Sequence, residues 1–289
     1  MGLAEPPELG TSMLPPGTFA QDVVLVTGGG TGLGKAMGVE FARLGATVAI
    51  VSRKPEHLDA GVAAIEAAGG KAVTAVADVR EAESVAAAFD SIEAVAGPVT
   101  ILVNNAAGNF AARAETMSAK AWRSVTQIVM DGTFLCSTEL ARRAIEADRP
   151  AVILNIGATY SWTGGPGTAH SAAAKAAVTN LTQSLAVEWA PYDIRVNCLV
   201  PGQFPHEDLP AALRAGRTEE DDAARVPAGR VGRPHELGWA ATYLCSPYAS
   251  YLTGHALVLD GANWLRRGLR MPEFTSVADQ LTPTEERNP

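Results

Sequence analysis

Between Thr27 and Gly34 the chain reads Thr27-Gly28-Gly29-Gly30-Thr31-Gly32-Leu33-Gly34, with glycine at five of the seven positions from 28 to 34. Glycine lets a backbone turn sharply and lets a bulky anion approach the main-chain N–H groups. A helix starting at such a turn adds unpaired donors and a partial positive charge, so the combination suits a pyrophosphate. The spacing Gly28-x-x-x-Gly32-x-Gly34 differs from the G-x-G-x-x-G fingerprint. Its position between a first strand and a first helix is nevertheless where an open parallel sheet binds dinucleotides. A plain strand-to-helix turn has little need for so many glycines. A dinucleotide is therefore expected here, held by Thr27, Gly28, Gly30, Thr31, Gly32, Leu33 and Gly34.

A second group carries a specificity signal. The second strand ends Val51-Ser52-Arg53-Lys54, where a site for NAD more often places a carboxylate against the ribose 2′-hydroxyl. Here the charge is reversed. A guanidinium and an ammonium can pair with a 2′-phosphate, so Ser52, Arg53 and Lys54 point to NADPH. The plainer alternative is that Arg53 and Lys54 are solvated charges at a helix start.

The elements that must position these groups follow from periodicity. Apolar runs of strand length occur at 22–27, 47–51, 72–77, 100–103, 151–156, 194–200 and 255–259. Between them lie segments of helical period at 35–44, 56–68, 81–96, 118–147, 171–190 and 235–245. Strands alternating with helices imply a parallel sheet covered on both faces by right-handed crossovers. The expected fold is α/β, a doubly wound Rossmann sheet of about seven strands in a single domain spanning 20–262. A Pro-rich lead, 1–19, precedes it and an extension, 263–289, follows. The stretch 203–226 breaks the rhythm with Pro205, Pro210 and the acidic run Glu219 to Asp222. It is expected to be a substrate loop with a short helix over the site.

Composition narrows the function classes. With 289 residues and 47% hydrophobic residues, the chain can bury a large core unaided. Its net charge of −8, with dispersed positive charges, argues against nucleic acid or an anionic membrane as partner. Cys136, Cys198 and Cys245 are far apart and lie in apolar stretches. They are expected to be buried thiols in a reducing compartment, with no disulfide and no metal site. No apolar run is long enough to span a bilayer and the lead lacks a signal-peptide pattern, so a cytoplasmic enzyme is expected.

Several motifs together resemble the short-chain dehydrogenase/reductase family over about residues 20–262. They are TGGGTGLG at 27–34, Asp78-Val79 after the third strand, NNAAG at 104–108, Lys175, RVNCLVPG at 195–202 and LDGA at 259–262. The resemblance implies a nicotinamide cofactor. Asp78 and Val79 would meet its adenine, and Asn105 and Ala106 would flank it. Asn104 would brace the fourth strand, Lys175 would bind the nicotinamide ribose, and Pro201 and Gly202 would hold the carboxamide.

The departures narrow the chemistry. Ser171 stands four residues before Lys175, where most members carry the catalytic tyrosine. Ala158 and Val129 replace the family's serine and asparagine. Without a poised acid, ordinary ketone reduction is disfavoured. The same set of losses is shared with the 2,4-dienoyl-CoA reductases. The segments VSRK at 51–54, AAGNF at 106–110, IVMDGTF at 128–134, HSAAAKAAV at 170–178 and LAVEWAPYDIRVN at 185–197 are similar to theirs, and GANWLRRGLRMPEF at 261–274 resembles their peroxisomal extension. By this resemblance Tyr160, fifteen residues before Lys175, is the acid and Asn109 assists it, with Ser171 and Lys175 on one helical face beside the nicotinamide. His170 is read as structural.

The implied reaction is NADPH-dependent reduction of a 2,4-dienoyl-CoA to a 3-enoyl-CoA in fatty-acid β-oxidation. The resemblance also implies an acyl-CoA thioester partner and a homotetramer, and Arg113 and the 203–226 loop are candidate CoA contacts. Two alternatives stand beside it. One is a short-chain reductase acting through Tyr160 on 3-oxoacyl thioesters. The other is a non-catalytic NADP-binding protein.

Overall fold

Alternate residues of the first strand, β1 (Val23–Thr27), feed two different cores. Val23 and Leu25 pack on one face of the sheet, Val24 and Val26 on the other. Both faces are buried, which explains the near-continuous apolar run and requires a layer of helices on each side. The structure, a computed structural model, describes residues 2–208 and 218–265. The remaining strands are β2 (Thr47–Ser52), β3 (Lys71–Val76), β4 (Ile101–Asn104), β5 (Ala151–Ile156), β6 (Ile194–Pro201) and β7 (Ala256–Leu259). They lie in the order β3-β2-β1-β4-β5-β6-β7 and every pairing is parallel. The α/β doubly wound sheet of seven strands read from the periodicity is the one observed.

The helices, in chain order, are α1 (Gly32–Arg43), α2 (Pro55–Ala67), α3 (Ala82–Ala96), α4 (Ala119–Thr126), α5 (Gly132–Glu146), α6 (Tyr160–Thr163), α7 (Ala169–Trp189), α8 (Glu219–Ala223) and α9 (Pro234–Cys245). Met37 and Phe41 of α1, Leu58 and Ile65 of α2, and Leu237 and Leu244 of α9 fill one core. Phe89 and Ile92 of α3, Leu140 of α5 and Leu185 of α7 fill the other. Since β1 pairs with both β2 and β4, the loops leaving β1 and β4 diverge. A crevice therefore opens beyond the carboxyl ends of these strands.

Two expectations of local structure are refined. The region 118–147, read as one helix, is α4 and α5 joined by a single turn of π-helix, Gln127–Asp131. The wider turn accommodates one more residue than an α-helical turn, a distortion often found beside functional sites. Val129 is buried within it, and the Thr133 hydroxyl donates to the Val129 carbonyl at 2.6 Å. In the 203–226 loop the acidic run forms the first turn of α8. The Thr218 hydroxyl accepts the Asp221 N–H, while the Asp221 carboxylate accepts the Thr218 N–H. Carboxylates at a helix N-terminus complement its dipole. Pro210 and the rest of 209–217, and residues 266–289 of the C-terminal extension, lie outside the described residues.

The Pro-rich lead packs on the domain. Leu14 and Phe19 are buried in the core beneath α1, and the Phe19 ring meets Phe41 edge-on at 5.1 Å. Farther out, the Leu3 N–H donates to the Ala228 carbonyl at 2.7 Å and Arg233 grips both carboxylate oxygens of Glu5 at 3.0 Å. Cys136, Cys198 and Cys245 are free and buried. Among the described residues no helix is long and apolar enough to cross a membrane.

The burial of Phe19, 1% exposed, makes the lead part of the folding unit. Phe19→Ala should lower the unfolding free energy by about 3 kcal/mol, measured by urea denaturation. A loss below about 0.5 kcal/mol, the size of an ordinary surface change, would show the lead to be an undocked arm.

Candidate active site

The site is built where β1 and β4 end. The buried Thr27 hydroxyl accepts the N–H groups of Asn105 and Ala106, both at 3.0 Å, and donates to the Val103 carbonyl at 3.3 Å. In return the Asn105 amide nitrogen donates to the carbonyls of Thr27 at 3.0 Å and Gly28 at 3.2 Å. These bonds tie the glycine-rich turn to the loop after β4. They also explain why Gly34 carries no side chain, since a Cβ there would stand 2.4 Å from the Asn105 amide nitrogen and 2.5 Å from the Gly28 carbonyl oxygen. Gly30 is constrained in the same way, with the His57 carbonyl 2.0 Å from where its Cβ would be. Asn104 braces β4 from within, donating to Ser137 and Asn155 at 2.9 Å each, while Asn155 donates to Thr182 at 2.9 Å.

A cleft of about 510 Å³ runs along the carboxyl ends of the strands. One end is lined by Ser52, Arg53, Lys54, Asp78 and Val79. Its middle is lined by Gly28, Thr31, Gly32, Leu33, Asn105 and Ala106, and its far end by Tyr160, Lys175, Pro201 and Gly202. Thr27, Gly30 and Gly34 lie behind this wall and shape it. The volume falls within the range of small-molecule sites. A bare glycine turn in the middle, cations at one end and two protic side chains at the other fit an elongated dinucleotide. At the cationic end, Arg80 chelates the Asp78 carboxylate with contacts of 2.5 to 3.0 Å, and Arg53 lies 3.8 Å from it. The Arg80 hydrogen bonds hold the Asp78 carboxyl below the usual carboxylate range, against the opposing effect of burial.

At the far end the short helix α6 delivers Tyr160 directly after β5. Its hydroxyl lies 3.0 Å from Ser171 Oγ. Ser171 and Lys175 are both buried and lie one turn apart on α7. The Lys175 ammonium donates to the Ile156 carbonyl, and burial pushes its pKa down to about 8, with a small opposing contribution from the Cys198 thiol. The cluster therefore combines a phenol held by a hydroxyl with a cation that is still mostly protonated at pH 7. Such a pair can stabilise an anionic oxygen and deliver a proton.

Not every expected residue reaches this cluster. Asn109 is exposed on the loop after β4, and its side-chain oxygen accepts the Phe110 N–H at 3.0 Å. Phe110 packs against the fully buried His170 ring at 4.3 Å. Ala158 lines the cleft beside Tyr160. Three residues not singled out in the sequence belong to the site's surroundings. His57 and His206 line the cleft, and Lys35 sits one residue past the last glycine. The signal for Lys35 was its place in the first turns of α1. His206 had none, because its approach to the glycine turn is long-range.

Comparison with known proteins agrees with this fold. Residues 28–262 match the family model described as enoyl-(acyl carrier protein) reductase. A probable (2E)-enoyl-CoA-producing 2,4-dienoyl-CoA reductase of Bacillus subtilis is 43% identical over 84% of this chain and 96% of its own. A probable (3E)-enoyl-CoA-producing 2,4-dienoyl-CoA reductase of Caenorhabditis elegans is 39% identical over 89% of this chain and 85% of its own. Among solved structures, a gluconate 5-dehydrogenase of Burkholderia cenocepacia in complex with NADP and tartrate superposes with a TM-score of 0.78 at 32% identity, covering 85% of this chain and 96% of that one.

Burial of Lys175 has a consequence for stability. A lysine with a pKa of 10.5 in the unfolded chain and about 8 in the native protein binds fewer protons when folded. Its burial then costs about 3 kcal/mol below pH 8, and the penalty fades as pH rises toward 10.5. Without cofactor, Lys175→Met should melt above the wild type at pH 7, and most of the gap should be gone by pH 10. A gap independent of pH would show that Lys175 is not buried as a cation.

Proposed function

Because the chain belongs to the short-chain dehydrogenase/reductase family, we propose that it is an NADPH-dependent 2,4-dienoyl-CoA reductase acting in fatty-acid β-oxidation and converting a 2,4-dienoyl-CoA to a 3-enoyl-CoA. The observation that carries this reading is the Tyr160 hydroxyl, held by Ser171 in the cleft that also contains Lys175. The position four residues before the lysine cannot supply a phenol, and the turn after β5 brings one in its place.

When bound, the dinucleotide supplies a hydride, which the conjugated thioester accepts at its δ-carbon. Negative charge then moves through the double bonds to the thioester oxygen, and the protein must meet it there. Tyr160 donates a hydrogen bond to that oxygen, and Asn109 can do so by turning its exposed amide inward. Removal of one such donor typically costs about 3 kcal/mol of barrier. Tyr160 next gives its proton to the α-carbon, which leaves the 3-enoyl product, and the nearby Lys175 cation favours the phenolate that remains. Protonation at the γ-carbon would instead give the 2-enoyl product. The two relatives above carry different product assignments in their names, so the position of the acid relative to these two carbons is the property to test.

NADPH is favoured by Arg53 and Lys54 at the cleft end opposite Tyr160, where two cations can pair with a 2′-phosphate. The exposed Met130 in the π turn and Phe134 in the first turn of α5 support self-association into a homotetramer. Buried free thiols support a cytoplasmic setting.

Wild type should oxidise NADPH in the presence of trans-2,trans-4-hexadienoyl-CoA, and Tyr160→Phe should lose about a hundred-fold or more in kcat while still binding NADPH. Chromatography of the product should give the 3-enoyl thioester. Turnover of acetoacetyl-CoA with none of the dienoyl thioester would overturn the substrate assignment. At the other end of the cleft, Arg53→Ala should raise KM for NADPH about ten-fold with little change for NADH. Equal effects on both would remove Arg53 from the 2′-phosphate site.

A further inference from the structure

Three consecutive residues after β6, His206, Glu207 and Asp208, turn back onto the start of α1. The Gly32 N–H donates to Asp208 Oδ2 at 2.7 Å. Lys35 Nζ lies 3.1 Å from the same oxygen and 2.5 Å from Glu207 Oε1. The His206 ring covers Gly32 so closely that a Cβ there would stand 2.8 Å from His206 Cε1. Burial opposes ionisation of Asp208, but the Gly32 N–H and Lys35 outweigh it and hold the carboxyl below its ordinary range. A helix-terminal N–H and an ammonium are the partners a phosphate oxygen takes at such a turn. Gly32 and His206 both line the cleft, so the segment lies at the part of the cleft where the glycine turn would receive a diphosphate.

We infer that Asp208 is a built-in competitor for the cofactor's diphosphate, and that Lys35 is the cation that exchanges between the two. The inference rests on the reading of the cleft as a nicotinamide dinucleotide site. The Gly32 N–H and the Lys35 ammonium cannot serve Asp208 and a diphosphate in full at the same time. Entry of the cofactor therefore displaces the 206–208 segment, and Lys35 passes from one anion to the other. The chain sets its own cofactor affinity through this exchange. A carboxylate that merely capped α1 would behave differently, because its removal would weaken the helix terminus without tightening cofactor binding.

Fluorescence titration with NADPH, in the absence of any thioester, separates these cases. Asp208→Asn and Asp208→Ala should each bind NADPH about three- to ten-fold more tightly than wild type, the scale of one charge at a helix N-terminus together with its ion pair. Lys35→Met should bind more weakly, and should still do so in the Asp208→Asn background, where the Asp208 carboxylate no longer competes for the ammonium. Unchanged or weaker binding by both Asp208 variants would overturn the competition. Loss of the Lys35 effect in the double variant would overturn the exchange. If wild type binds neither NADPH nor NADH, the cofactor reading itself fails and this inference with it. If wild type binds and the variants do not differ, only the inference fails.

Discussion

The hydrogen bonds between Thr27 and the Asn105-Ala106 segment are the constraint on which the site depends. The strand order places β1 beside β4 but sends their following loops apart, one into α1 and the other toward α4. Two loops that diverge need something to keep them in register. A buried threonine hydroxyl taking two main-chain N–H groups, and an asparagine amide returning two bonds to the glycine turn, do this at the point of divergence. Each bond contributes about 1 kcal/mol net, but a buried donor left without its partner costs up to about 3 kcal/mol. The set is therefore held as a unit, and it fixes Gly28 at the start of the glycine turn against the loop after β4.

A second constraint acts at the far end. Lys175 is carried by α7, whose buried face includes Ala174, Val178, Leu185 and Trp189, so its place is set by packing along a long helix. The phenol is under no such requirement. It needs only to bring a hydroxyl to a point fixed relative to Lys175, and the turn after β5 ends beside that helix. Ser171 then takes a different part, as a buried hydroxyl within hydrogen-bond reach of Tyr160. In the proposed reading the acid is lost at one position and supplied from another, so that the arrangement of functional groups is kept while a different chain segment provides it.

Much of this was legible in the sequence because it rests on local periodicity. Both-face burial of β1 is visible as an unbroken apolar run, and the glycine cluster announces a turn whatever follows it. Lys175 and Tyr160 fall at spacings that the family resemblance makes meaningful. The features that escaped are those that periodicity does not mark, whether local distortions or contacts distant in sequence. The π turn at Gln127–Asp131 contains neither proline nor glycine, so nothing in the helical period marks it. Phe19 looks like part of a Pro-rich lead until Phe41, twenty-two residues on, supplies a ring to pack against. The short helix expected within 203–226 falls on the acidic run, where Thr218 caps Glu219–Ala223. Asn109 was legible as a polar residue at the right loop but not in its orientation, because a side chain that can bond its neighbouring N–H has a local alternative to the cleft.

The charge of the chain stands against a dinucleotide ligand at first sight, since a protein of net charge −8 would repel a polyanionic cofactor if that charge acted as a whole. It does not act as a whole. At physiological ionic strength, exposed charges more than about 8 Å apart are largely screened, so only groups lining the cleft decide the potential there. Those groups are Arg53 and Lys54 at one end, the α1 N-terminus in the middle and Lys175 at the other end. The acidic side chains that approach them are engaged, Asp78 by Arg80 and Asp208 by Gly32 and Lys35. Surface acidity and an anion-binding cleft are thus compatible, because the first is distributed and the second is set by the groups that line the cleft.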